Sequence, residues 1–155
     1  MTDLFGSVEK QEFMDGLLRG EKCDCPCCGR YAQVYRRQIT SATARQFIKL
    51  YRLTGQSRVW VRSSELVFEG GCGVGDFTKG KYWDLIEEKP HEPDATRNSA
   101  YWRFTQRGLL FVQGQACIQK YAIVFDDQVI KFEGDMVGIK ECLTEKFNYA
   151  ELMAA

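Results

Sequence analysis

Residues 76–112 read DFTKGKYWDLIEEKPHEPDATRNSAYWRFTQRGLLFV, and the division of this stretch into elements decides the fold. Asp76 is a natural N-cap for a short helical segment that carries Lys79 and Lys81 and closes at Tyr82 and Trp83. Phe77 and Trp83 are expected to face inward there, while Thr78, Lys79 and Lys81 project. Leu85 and Ile86 begin a strand. The polar run from Lys89 to Ser99, with prolines at 90 and 93, reads as a loop. Tyr101 to Phe104 alternates as a second strand, which points Arg103 opposite to Trp102 and Phe104. Thr105 leads into a further helix. The result is a helix able to lie in a groove with a hairpin beside it.

Upstream, Gly70 to Gly75 superficially resembles a dinucleotide loop, but the GxGxxG spacing is not met and no βαβ unit surrounds it. It reads as the turn that delivers the helix at Asp76. Arg58 to Arg62 (RVWVR) predicts a short strand of alternating basic and apolar residues, and Ser63 or Ser64 caps a brief turn through Glu65 to Phe68. Ala42 to Leu53 is the clearest helix, started by Thr40 or Ser41 and stopped by Gly55. Ala44, Phe47, Ile48 and Tyr51 recur at core spacing. Arg45, Lys49 and Arg52 form a basic stripe beside them, suited to phosphate contact or simply to water. Tyr31 to Ile39 alternates as a strand, and Ser7 to Arg19 as a helix with Phe13, Met14, Leu17 and Leu18 inward.

Downstream, Lys120 to Phe125 and Val129 to Phe132 flank the turn-forming Asp126-Asp127-Gln128, which predicts a hairpin ended by Gly134-Asp135. Val137 to Leu143 reads as a short helix. From Thr144 an acidic tail contains Phe147, Tyr149 and Leu152.

The strongest chemical signal is Cys23-Asp24-Cys25-Pro26-Cys27-Cys28-Gly29. Thiolates at 25 and 28 on a tight turn can share one tetrahedral Zn²⁺, and Gly29 lets the backbone turn beneath it. Cys23 and Cys27 are either further ligands or bystanders. A second CxxC is absent, so Cys72, Cys117, Cys142 and His91 stay open as distant ligands. No general acid or base stands in a recognisable motif beside the cluster, so the expected Zn²⁺ is structural.

The chain has 155 residues, 45% apolar and 13% aromatic, enough for a core, and no apolar run of bilayer length. Its N-terminus lacks the basic start and apolar run of a signal peptide, so a cytoplasmic protein without membrane attachment is expected. Seven cysteines then point to metal or reduced thiols rather than disulfides. Net charge is zero, but its distribution is uneven: residues 30–64 carry eight bases and no acid, while 121–155 carry seven acids against three bases. One positive surface follows, with the acidic termini elsewhere. That asymmetry suits a nucleic-acid face, or a solvated basic face meeting an acidic partner or the chain's own acidic tail.

The central stretch resembles the MarR- and PadR-like winged-helix family, in which a lysine-bearing helix ends in a pattern like GLI and passes into the wing. Here Trp83-Asp84-Leu85-Ile86 takes that place, with Asp84 where Gly is usual. Phe104-Thr105-Gln106-Arg107-Gly108 likewise resembles the LTxxG that opens the helix after the wing. The likeness spans roughly residues 41–112. It implies that Lys79, Lys81 and the wing-tip Arg97 meet DNA, with Arg103 on the wing strand beside them. Gly80 inside the short helix, and few base-reading side chains on it, depart from the pattern. The Cys25-Pro26-Cys27-Cys28-Gly29 run is similar to a zinc-ribbon knuckle. Taken with the helix at RQITSATAR (37–45) and the tail KYAIVFDD…GDMVGIKECL…EKFNYAELM, the whole is similar to small uncharacterised bacteriophage proteins.

The expected architecture is therefore α+β: a winged helix-turn-helix core over 41–114, an N-terminal helix and zinc knuckle over 1–40, and a C-terminal hairpin and helical tail over 115–155. The expected function is binding of double-stranded DNA as a phage regulator or accessory factor, through Arg45, Lys49, Arg52, Lys79, Lys81, Arg97 and Arg103. The alternative is a protein-binding module that inhibits or redirects a host factor, favoured by zero net charge and by Tyr31, Tyr35, Trp60 and Tyr101 as exposed aromatics. An enzyme is not expected. The single histidine, His91, lies between Pro90 and Glu92 in the polar loop, a poor place for a preorganised base.

Overall fold

The structure, a computed structural model, describes residues 6–21, 23–25, 28–66, 73–90 and 100–154. His91, Arg97, Cys72, Pro26 and Cys27 lie outside them, as does the side chain of Cys23. Among the described residues the fold is mixed α+β. Helix α1 (Gly6–Leu18) is followed by the two-residue strands β1 (Cys23–Asp24) and β2 (Tyr31–Ala32), then β3 (Tyr35–Arg37). Next come α2 (Ser41–Thr54), β4 (Val61–Arg62), a 3-10 turn over Ser63–Glu65, α3 (Val74–Phe77) and a 3-10 segment over Thr78–Trp83. Strands β5 (Ile86–Glu88) and β6 (Tyr101–Phe104), helix α4 (Gln106–Val112), and strands β7 (Ile118–Phe125) and β8 (Gln128–Val137) lead to the short helices α5 (Ile139–Leu143) and α6 (Tyr149–Ala154).

The strands form two antiparallel sheets of three, ordered β3-β7-β8 and β4-β6-β5, and β1 pairs with β2 alone. Helix α2 forms because its termini and its inward face agree. The Thr40 side chain accepts from the Thr43 N–H at 3.3 Å, and Gly55 closes the other end at φ 61°. Ala44, Phe47, Ile48 and Leu50 are buried, and Tyr51 packs half-buried against the same cluster. That cluster continues through Phe77, Trp83, Leu85, Phe111, Ile118 and Ile139, so the parts expected over 41–114 and 115–155 share one core.

The predicted strand over 31–39 is broken into β2 and β3, which join different sheets. The strand expected over Arg58 to Arg62 pairs only at Val61 and Arg62. Asp76 is not the N-cap. It sits one turn inside α3, where its carboxylate accepts from the N–H of the capping Gly73 at 3.3 Å. Asp84, standing where Gly is usual, occupies the left-handed region at φ 58° and ψ 40°. Gly80, which looked like a defect, is buried against Phe47: a Cβ there would approach that ring to 2.5 Å. Gly108 is required by close approach, since a Cβ would overlap the carbonyl oxygen of Leu85.

Asp126 and Asp127 both take positive φ (50° and 61°), the backbone of a two-residue hairpin turn whose twist matches its strands. Gly134-Asp135 does not end β8. Gly134 at φ 85° absorbs an extra residue as a bulge between the Tyr121–Glu133 and Gln119–Met136 pairs, and the strand runs on to Val137.

Candidate nucleic-acid interface

Among the described residues, the cations picked out by sequence fall in three places, and each place is engaged with other groups of the molecule. Lys79 Nζ lies 2.7 Å from Asp76 Oδ1, and this bond, with that from the Gly73 N–H, holds the Asp76 carboxyl below its ordinary range. Lys81 Nζ lies 2.8 Å from Asp127 Oδ2 at the β7–β8 turn, and the Tyr82 hydroxyl donates to Asp127 Oδ1 at 2.7 Å. Those two donors lower the Asp127 pKa. Burial first, then the bond to Asp127, pushes the Tyr82 phenol up to about 12. Trp83 completes the junction: its indole N–H donates to the Gln119 carbonyl at 2.8 Å, and its ring packs on Phe132. The expected recognition helix is thus a 3-10 segment held against the C-terminal hairpin, with both lysines paired to carboxylates.

The stripe on α2 faces the tail. Arg45 lies 4.3 Å over the Phe147 ring, and with Lys49 and Arg52 it borders a recess closed by Leu152 of α6. The expectation that the acidic terminus lies apart from the basic surface is corrected here. Phe147, Tyr149 and Leu152 bury apolar area on the core, with the Tyr149 hydroxyl bonded to the Val112 carbonyl at 2.7 Å, and so bring α6 onto α2.

The third place is the outer face of the β4–β6–β5 sheet. Trp102 and Phe104 point into the core, so alternation sends Tyr101 and Arg103 outward. Arg62 stands opposite Tyr101, and Glu87 opposite Arg103. Arg103 Nε bonds Glu87 Oε1 at 2.6 Å, and Arg58 Nη2 reaches the same oxygen at 2.9 Å. The Arg103 guanidinium also lies 4.1 Å over the Trp60 ring. Lys89 Nζ sits 5.5 Å from the centre of the Tyr101 ring. Among the described residues, Arg58, Arg62, Lys89 and Arg103 share this face with the carboxylate of Glu87, beside Trp60 and Tyr101.

Of these, only Arg103 was singled out for contact with nucleic acid from sequence. The signal for the others was the period-two spacing of 58, 60 and 62 and of 101 and 103. Its meaning depends on β4 pairing with β6, some forty residues further along the chain.

At the knuckle, the Cys25 N–H donates to the Arg30 carbonyl at 2.7 Å, and the Cys25 carbonyl accepts from the Gly29 N–H at 2.8 Å. Gly29 is at φ 71°, the turn expected of it. Cys25 and Cys28 therefore share one tight turn, and both border a groove of about 460 Å³ with Arg30, Tyr31, Tyr35 and Phe125. Cys117 lies just before β7, eight positions from Phe125 and so roughly 26 Å away along extended chain. Cys142 is buried near the exposed Cys117, its thiol pushed up to about 12 by burial and then by Glu141. Among the described residues no group of three metal-binding side chains comes together. No described helix is long and apolar enough to cross a membrane.

No protein-family model, no curated protein and no solved structure matches this chain.

Proposed function

We propose that this chain is a zinc-stapled, winged-helix DNA-binding protein that serves a bacteriophage as a regulator or accessory factor. The observation that carries the reading is the outer face of the β4–β6–β5 sheet, where, among the described residues, Arg58, Arg62, Lys89 and Arg103 gather around the carboxylate of Glu87 in a chain of zero net charge. Element order supports the winged-helix part: helix α2, strand β4, a turn, the α3 segment, then the β5–β6 hairpin, with β4 added to the free side of β6. Lys79 and Lys81 each pair with an aspartate of their own, whereas Arg58 and Arg103 share the one carboxylate of Glu87, which supports the sheet face over that segment as the DNA contact.

Zinc fits the knuckle. Strands of two residues cannot hold a hairpin by themselves, and Cys25 and Cys28 stand on one turn where a shared metal would tie it. Cys23 and Cys27 are the candidates for the remaining positions.

The test is binding of labelled DNA at two salt concentrations. Phosphate contacts release counterions, so affinity should fall steeply with salt. Arg58→Glu with Arg62→Glu should abolish binding while the fold, followed by circular dichroism, persists. Retained binding by that variant would remove the sheet face from the interface.

A protein-binding module that seizes a host factor is the second reading. The exposure of Tyr31 (60%) and Tyr35 (44%) around the knuckle groove favours it. A pull-down that returns one stoichiometric protein and no nucleic acid would select it.

A further inference from the structure

The flat groups on the sheet face ask for a partner that a closed duplex does not present. Tyr101 is 38% exposed. Two positions along β6, the Arg103 guanidinium lies over Trp60, giving a second planar surface. Strand geometry separates the two by about 7 Å, roughly twice the 3.4 Å rise of stacked nucleotides. Bases inside a duplex have both faces covered by their neighbours, and only their edges are open in the grooves. Reading those edges needs a projecting element, yet the segment expected to project is a 3-10 turn held against the β7–β8 hairpin through Lys81, Tyr82 and Trp83. An extended single strand, by contrast, offers base faces at wide spacing and a backbone for cations to follow.

We propose that this face takes single-stranded nucleic acid: bases stack on Tyr101 and on the Arg103–Trp60 pair, while Arg58, Arg62 and Lys89 hold the phosphates. The inference rests on the reading of this surface as the nucleic-acid interface and names the form of the strand it selects. Glu87 sits between Arg58 and Arg103 and pairs with both through one carboxylate oxygen. Stacking is indifferent to base identity, so selection is for an unpaired strand rather than a sequence.

The experiment uses the full chain with oligothymidylate of about 12 nucleotides, the matching oligouridylate, and a duplex of equal length. Anisotropy gives affinity, and tryptophan fluorescence reports stacking. Trp83 and Trp102 are 1% and 6% exposed, so quenching by a bound base reports Trp60. The expected result is tighter binding of single strands than duplex, with quenching. Trp60→Ala should remove the quench, and Tyr101→Ala should weaken single-strand binding about 5- to 100-fold with little effect on duplex. If Trp60→Ala fails to fold, Tyr101→Ala alone decides, because its ring is partly in solvent. Duplex bound as tightly as single strand, or binding without quenching, overturns the inference and leaves the DNA-binding reading standing. Failure of every oligonucleotide to bind at low salt overturns both.

Discussion

Removing a negative charge from the sheet face should strengthen binding, and Glu87→Gln isolates that effect. Glu87 Oε1 accepts from Arg58 at 2.9 Å and from Arg103 at 2.6 Å, so one carboxylate occupies two guanidinium groups. The substitution keeps the shape and removes the charge that Arg58 and Arg103 share. These three side chains are 30–39% exposed, where such pairs contribute about 0–1 kcal/mol. With two pairs lost, the Tm should therefore fall by no more than about 8 °C. Affinity moves the other way. One additional phosphate contact steepens the slope of log K against log salt by about 0.7 on a single strand, or about 0.9 on a duplex. Referred to molar salt, that is roughly five- to eightfold tighter binding at about 0.1 M. Anisotropy titrations across a salt series, with thermal melts in parallel, measure both quantities. Unchanged slope and affinity in a folded variant would refute the view that Glu87 competes with phosphate. Weaker binding would refute it too, by making Glu87 the group that holds the arginines in their binding pose.

Gly108→Ala forces a methyl into the Leu85 carbonyl, which also accepts the Thr105 N–H at 3.0 Å. Overpacking there should lower Tm by about 5–10 °C in a thermal melt, and a change under about 2 °C would show that the α4 contact yields easily. Tyr82 is neutral to about pH 12 in the folded chain against 10.0 in its ordinary state. Between those values the unfolded chain releases a proton that the folded chain keeps. Stability should fall as pH rises through that window, with no contribution below it, and Tyr82→Phe should flatten the fall in urea midpoints. Stripping metal with a chelator should expose Cys25 and Cys28 to alkylation and loosen the knuckle. Cys142 should label only on unfolding, since burial holds its thiol neutral; peptide mass mapping before and after chelation reads both.

Local chemistry was legible in the chain because its causes are local. Thr40 and Gly55 bound α2, Asp84 tolerates the left-handed exit before β5, Thr105 caps α4, and the Asp126-Asp127 turn closes the β7–β8 hairpin. Each rests on neighbours a few residues away. The apolar spacing of Ala44, Phe47 and Ile48 likewise named the buried face of α2 before any partner was known. By itself, the sequence determined where the backbone turns, which helix face is apolar, and that two cysteines stand on a turn.

Which charges remain available to a ligand was a tertiary matter. Lys81 is neutralised by an aspartate 46 residues away, and Arg45 meets a phenylalanine from the tail. Arg58 and Arg103 converge on Glu87 only because β4 and β5 pair with opposite edges of β6. Charge along a chain is additive, but a charge's availability depends on what folding sets within a few ångströms of it. Strand pairing and core packing over long separations set that distance, and no local pattern encodes it.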